Sequence, residues 1–161
     1  MRKIKVAING FGRIGRVFTR SVLENQHIEI VAINDLVDTK MLSHLLKYDT
    51  VHRKLDFDVN FSESSISINN KTIRVFNKRN PEELPWDKLD IDIVVESTGF
   101  FRSKENASKH LKAGAKKVVI SAPSTDSDVK TIVMGINDGI LQSSDTIVSN
   151  ASCTTNCAAP M

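Results

Sequence analysis

The hexapeptide Gly10-Phe11-Gly12-Arg13-Ile14-Gly15 follows an apolar run, Lys5-Val6-Ala7-Ile8, and opens a stretch with apolar residues at Ile14, Val17, Phe18 and Val22. The run reads as a short buried strand and the stretch as one face of a helix. A second apolar run, Ile28-Glu29-Ile30-Val31-Ala32-Ile33, ends at Asn34-Asp35. The three pieces make a βαβ unit of about thirty residues, and in that context the glycine pattern becomes a site. Gly10 permits the tight turn, Gly12 lets the backbone approach a pyrophosphate, and Gly15 lets helix and strand pack closely. The N–H groups of Arg13 and Ile14 then face the phosphates at the positive end of the helix. Asp35, about twenty residues past Gly15, would accept hydrogen bonds from the adenosine ribose and repel a 2′-phosphate, which favours NAD over NADP.

The same grammar returns later in the chain. Ile91 to Val95, Val118 to Ile120, Thr131 to Met134 and Asp145 to Val148 are strand candidates. Thr39 to Leu46 and Glu105 to Ala113 carry helical stripes, the second with Ser103 before it and Gly114 as its stop. Strands separated by helices predict an α/β fold with a doubly wound, mostly parallel sheet of Rossmann type. Between residues 57 and 76 the pattern changes to short alternating runs with Ser- and Asn-rich turns, a small antiparallel excursion. A chain of 161 residues suffices for one domain with a real core.

Ser149-Asn150-Ala151-Ser152-Cys153-Thr154-Thr155-Asn156-Cys157 lies near the end of the sequence. Its small, hydroxyl-rich composition suits a helix start just after a strand, at the sheet edge where ligands of such folds collect. A thiol near a helix N-terminus is placed to act as a nucleophile, so Cys153 is a candidate catalytic residue. Ser152 and Thr154 could orient a substrate oxygen or bind a phosphate, and backbone N–H groups there could stabilise an oxyanion. Cys157 is expected to be a small buried residue. Cys-x-x-x-Cys lacks further nearby ligands, so no metal site is expected. His27, His44, His52 and His110 stand at no recognisable catalytic spacing and are expected at the surface or satisfied inside.

Composition removes other classes. The net charge is +3, Lys and Arg are scattered, and only one Trp and one Tyr are present, which argues against nucleic-acid binding. No run approaches the length of a membrane span or a secretory core, and two cysteines make no disulfide framework, so a cytoplasmic location is expected.

With both motifs in hand, the chain resembles glyceraldehyde-3-phosphate dehydrogenase. The likeness rests on residues 5–16 and 149–157, and on Ala32-Ile33-Asn34-Asp35, Glu96-Ser97-Thr98-Gly99 and Gly114-Ala115-Lys116-Lys117-Val118-Val119. It covers the whole chain but only about the first half of the family's length. It implies an NAD-binding Rossmann domain over residues 1–149 and the start of a catalytic domain at 150–161. It further implies glycolytic, phosphorylating oxidation of glyceraldehyde 3-phosphate by a homotetramer, through a thioester on Cys153 that inorganic phosphate cleaves. Arg13, Ile14 and Asp35 would contact NAD, Arg79 would lie at the adenine, and Thr98 and Ser121 would line the nicotinamide side. Ser152 and Thr154 would touch the substrate or its phosphate. The family's histidine base and phosphate-binding arginine follow the cysteine motif, so these residues alone are expected to be inactive. A related dehydrogenase of erythrose 4-phosphate and a non-catalytic NAD-binding module remain as alternatives. Asn80, Val51 and Arg53 depart from the family's usual residues.

Overall fold

The computed structural model describes residues 2–161. The first unit is as expected: β1 (Ile4–Asn9), α1 (Arg13–Val22) and β2 (Ile28–Asn34), with β1 and β2 parallel. Next come α2 (Thr39–Lys47), a two-stranded hairpin β3 (Tyr48–Asp49) and β4 (Arg53–Lys54), and the run β5 (Val59–Phe61), β6 (Ser65–Ile68) and β7 (Lys71–Phe76). The second half holds α3 (Trp86–Leu89), β8 (Ile93–Glu96), α4 (Lys104–Lys112), β9 (Lys117–Ile120), β10 (Ile147–Ser149) and α5 (Cys153–Ala158).

Eight strands form one sheet in the order β10-β9-β8-β1-β2-β7-β6-β5. From β10 to β7 every pairing is parallel, which is the doubly wound Rossmann order. The antiparallel excursion extends this same sheet, because β7 pairs parallel with β2 on one side and antiparallel with β6 on the other.

Alternate residues of each strand serve opposite faces. Val6, Ile8, Ile33 and Val95 pack with Phe11 and with Leu42 and Leu46 of α2 on one face. Ala7, Ala32 and Val94 pack under Trp86 and Leu89 of α3 on the other, and Val118 and Ile120 under Ala107 of α4. Both faces are covered, so the central strands read as continuous apolar runs.

The strand expected at Thr131–Met134 does not form. Only Thr131 bridges to the sheet, opposite Ser149. Asn137 takes the backbone groups a neighbouring strand would have used: its amide donates to the Thr131 carbonyl (2.9 Å) and its oxygen accepts from Val133 N–H (2.7 Å). The chain then turns at Gly135, whose φ is +80°. Among the described residues no helix is long and apolar enough to cross a membrane.

Candidate functional site

Strand order reverses between β1 and β8, since the chain runs from β1 towards one edge and from β8 towards the other. Side chains and backbone at the C-terminal ends of these strands line a cleft of about 470 Å³ that includes Gly10, Gly12, Asp35, Arg79 and Thr98. These residues, all expected from sequence, are therefore brought together at the place where open α/β sheets bind ligands.

The glycine turn is shaped for its place. Gly10 has φ +89°, and a Cβ there would lie 2.7 Å from the Thr98 nitrogen. A Cβ on Gly15 would lie 2.5 Å from the Gly10 carbonyl oxygen, so only glycine lets α1 sit this close to the turn. Gly12 is the contrasting case, with open space where its side chain would be and no side-chain cap on α1. The first-turn N–H groups of the helix, with exposed Arg13 and Ile14, are thus free to meet an anion at the helix's positive end.

Asp35 ties the second strand to the turn. One carboxylate oxygen accepts from Phe11 N–H (2.6 Å) and the other from Val37 N–H (3.0 Å). A carboxylate has about four acceptor positions, so capacity remains on the cleft side for ribose hydroxyls. Arg16 donates to the Phe11 carbonyl from below (2.9 Å), and its partial burial, with the nearby Arg13 charge, lowers its pKa. Arg13 reaches Asp49 at 3.1 Å. The His52 N–H, and after it the Val51 N–H and the Arg13 charge, outweigh desolvation and hold the Asp49 carboxyl at about 2.

Sequence reasoning did not single out Asn9, Asn34, Lys78, Ser97 and Phe100, which also line the cleft. The available signal was that Asn9 and Asn34 are polar residues closing apolar strands, at the sheet end where ligands bind. Asn80, a departure from the family's usual residue, caps the turn Pro81–Glu83 by accepting from Glu82 N–H (3.2 Å).

Ser121, Ser152, Cys153 and Thr154 do not line this cleft. Ser121 follows β9, and the other three follow β10, at the same sheet edge. The turn into α5 passes through Ala151 at φ +59°. Ser152 is the N-cap of α5, its hydroxyl accepting from Thr155 N–H (2.9 Å), and Cys153 is the first helical residue. Cys153 is exposed, and so is Cys157, contrary to the expectation of burial. The physical reason is that α5 buries none of its residues against the described chain.

A parallel sheet in this order, with a glycine turn at its switch point, defines the class: a Rossmann-type dinucleotide-binding domain. Comparison with known proteins narrows it. The family profile described as glyceraldehyde 3-phosphate dehydrogenase, NAD binding domain, matches residues 4–104. The chain is 55% identical over 158 residues to the glyceraldehyde-3-phosphate dehydrogenase of Priestia megaterium, covering 98% of the chain and 47% of that relative. Against the enzyme of that name from Geobacillus stearothermophilus it is 54% identical over 158 residues, with the same coverage. The chain belongs to the glyceraldehyde 3-phosphate dehydrogenase family, and its cofactor is NAD. It spans about half the length of the curated relatives it matches.

Proposed function

We propose that this chain is the cofactor-binding half of an NAD-dependent, phosphorylating glyceraldehyde-3-phosphate dehydrogenase. The observation that carries the reading is the shared sheet edge. The cleft of Gly10, Gly12, Asp35, Arg79 and Thr98 opens at the strand ends from which Cys153, on the first turn of α5, is also presented.

In this reading residues 1–149 are the NAD-binding domain and 150–161 begin the catalytic domain. The first turn of α1, with Arg13 and Ile14, holds the pyrophosphate, Asp35 the adenosine ribose, and Arg79 the adenine side. Thr98 and Ser121 line the nicotinamide side. The Cys153 sulfur attacks the aldehyde carbon as the thiolate, and the carbonyl oxygen takes up a proton, giving a thiohemiacetal. When bound, NAD would supply the hydride acceptor for that carbon; with the hydride and the hydroxyl proton gone, the carbonyl re-forms and a thioester remains on Cys153. Inorganic phosphate displaces the sulfur, releasing the acyl phosphate and restoring the thiolate. Ser152 and Thr154 contact the substrate or its phosphate, Ser152 doing so while its hydroxyl caps α5. The assembled protein is a cytoplasmic, glycolytic homotetramer.

The test is the intact protein with NAD, aldehyde and phosphate, using glyceraldehyde 3-phosphate and erythrose 4-phosphate in parallel. Faster NADH formation on the three-carbon substrate, abolished in Cys153→Ser, is the expected result. Iodoacetate should label Cys153 well ahead of Cys157. Equal, slow labelling of both would remove the nucleophile assignment, and preference for the four-carbon aldehyde would move the substrate.

A further inference from the structure

We propose that Glu96 is a positioning residue for the nicotinamide end of the cleft, acting through Thr98. The inference rests on the reading that Thr98 lines that end.

Asn34, Asn9 and Glu96 are direct register partners on β2, β1 and β8, each the last residue of its strand. All three side chains are buried, Glu96 at 1% exposure. Their hydrogen bonds run in one direction. Lys78 N–H donates to the Asn34 oxygen (2.8 Å), the Asn34 amide donates to the Asn9 oxygen (2.7 Å), and the Asn9 amide donates to Glu96 Oε2 (2.6 Å). From the other side, Trp86 Nε1–H donates to His110 Nδ1 (3.0 Å). That bond fixes the His110 tautomer with its proton on Nε2, aimed at Glu96 Oε2 (2.9 Å). Thr98 completes the set, its N–H (2.8 Å) and its hydroxyl both donating to Glu96 Oε1.

Four donors and no acceptor therefore converge on one side chain, a pattern a carboxylate satisfies and an amide does not. Neither end can reverse, because a backbone N–H fixes one and the Trp86 indole the other. Glu96 itself does not line the cleft, but Thr98 does. Thr98 Oγ1 in turn accepts from Phe100 N–H (3.1 Å), so the loop after β8 is anchored on the buried carboxylate. The same loop abuts the glycine turn, where Ser97 Oγ donates to the Gly10 carbonyl (2.6 Å).

Glu96→Gln discriminates a positioning role from a merely structural one. The amide nitrogen is accommodated more easily opposite Thr98, whose hydroxyl can rotate to accept, than opposite the two fixed donors Asn9 and His110. It then meets the Thr98 N–H and displaces the loop, while the Asn9–Asn34 side keeps its bonds. NAD and ADP-ribose, which lacks nicotinamide, are titrated calorimetrically against the intact protein carrying this chain. The expected result is an NAD affinity lowered about tenfold, the scale of one lost charge-assisted hydrogen bond, with ADP-ribose changed by less than about twofold.

Thr98→Val is the second variant: it removes the hydroxyl donor to Glu96 Oε1 and leaves the donors on Oε2 in place. It should lower the ratio of NAD to ADP-ribose affinity, and Glu96→Gln added to it should lower that ratio by less than it does alone, because the two changes act on one contact. An unchanged ratio in Glu96→Gln overturns the proposal, as do effects of the two variants that simply add. If Glu96→Gln does not fold, Thr98→Val decides alone: a lowered ratio supports the proposal and an unchanged ratio overturns it. Wild-type protein that binds NAD no more tightly than ADP-ribose would instead remove the reading of Thr98, and the proposal with it.

Discussion

Asp35 has two tasks, and its substitutions separate them. It holds Phe11 N–H and Val37 N–H in the apoprotein and offers its remaining acceptors to a ribose. Asp35→Ala loses both tasks and should lower stability by about 2 kcal/mol, the scale of hydrogen bonds to a charged group. Asp35→Asn keeps one acceptor towards the turn and removes the charge. It should therefore weaken NAD binding about tenfold while narrowing the gap between NAD and NADP. Titrating both cofactors against the variant checks this, and unchanged affinities for the two would remove Asp35 from the site. Gly10 makes the complementary case for backbone. Its φ of +89° and the Thr98 nitrogen 2.7 Å from a Cβ leave no room for alanine. Gly10→Ala should cost about 2–4 kcal/mol, and it should deform the cleft where turn and loop touch. Thermal unfolding with and without NAD reads both effects.

Between elements, Arg20 of α1 is the fastener that the chain's helical pattern did not reveal. Its guanidinium donates to the carbonyls of Leu46 (2.6 Å) and Lys47 (3.1 Å) at the end of α2, and of His52 (3.3 Å) and Arg53 (3.1 Å) in the β3–β4 hairpin. One planar group thus satisfies the open end of a helix and a turn whose Arg53 sits at φ +63°. Arg20→Met keeps the apolar stem and should lose about 2 kcal/mol, with faster proteolysis within residues 48–54. Arg20→Lys should recover little of this, because a point charge cannot span several carbonyls. The contrast explains what was legible in the sequence. Short-range signals carried their elements: Ser103 caps α4 through Asn106 N–H, and Gly114 ends it at φ +104°. Likewise the glycine pattern with Asp35 marked where the cleft lies, through Gly10, Gly12 and Asp35. Arg20, the buried row from Asn34 to His110 and the Asn137 turn depend on partners distant in sequence or on side chains replacing a ladder. No periodicity encodes these.

Across the whole molecule, acidic groups set the response to pH. Hydrogen bonds from backbone N–H groups lead in holding Asp49 at about 2. Lys116 lowers Asp90, Lys104 lowers Asp128, and Lys130 lowers Asp145. Asp92 is raised by desolvation but more than offset by Lys116, Lys5 N–H and Arg2, so it too lies below its ordinary value. Each is a carboxyl whose folded pKa is depressed relative to the unfolded chain, so its contribution is present above the unfolded value, about 4. It is lost as pH falls through the folded value. The urea midpoint should therefore be insensitive to these groups from pH 8 to 5, and should fall from about pH 4 down to about pH 2. The exposed pairs should weaken in high salt, whereas Asp49, 7% exposed at its side chain, should respond less. Asp49→Asn isolates that share: it should lower the midpoint at pH 6 and flatten the decline between about pH 4 and 2. An equally steep decline in the variant would transfer the acid sensitivity to the Asp90–Asp92 cluster. The distinction bears on the cofactor site as well, because protonating Asp49 releases Arg13 at the mouth of the phosphate-binding turn.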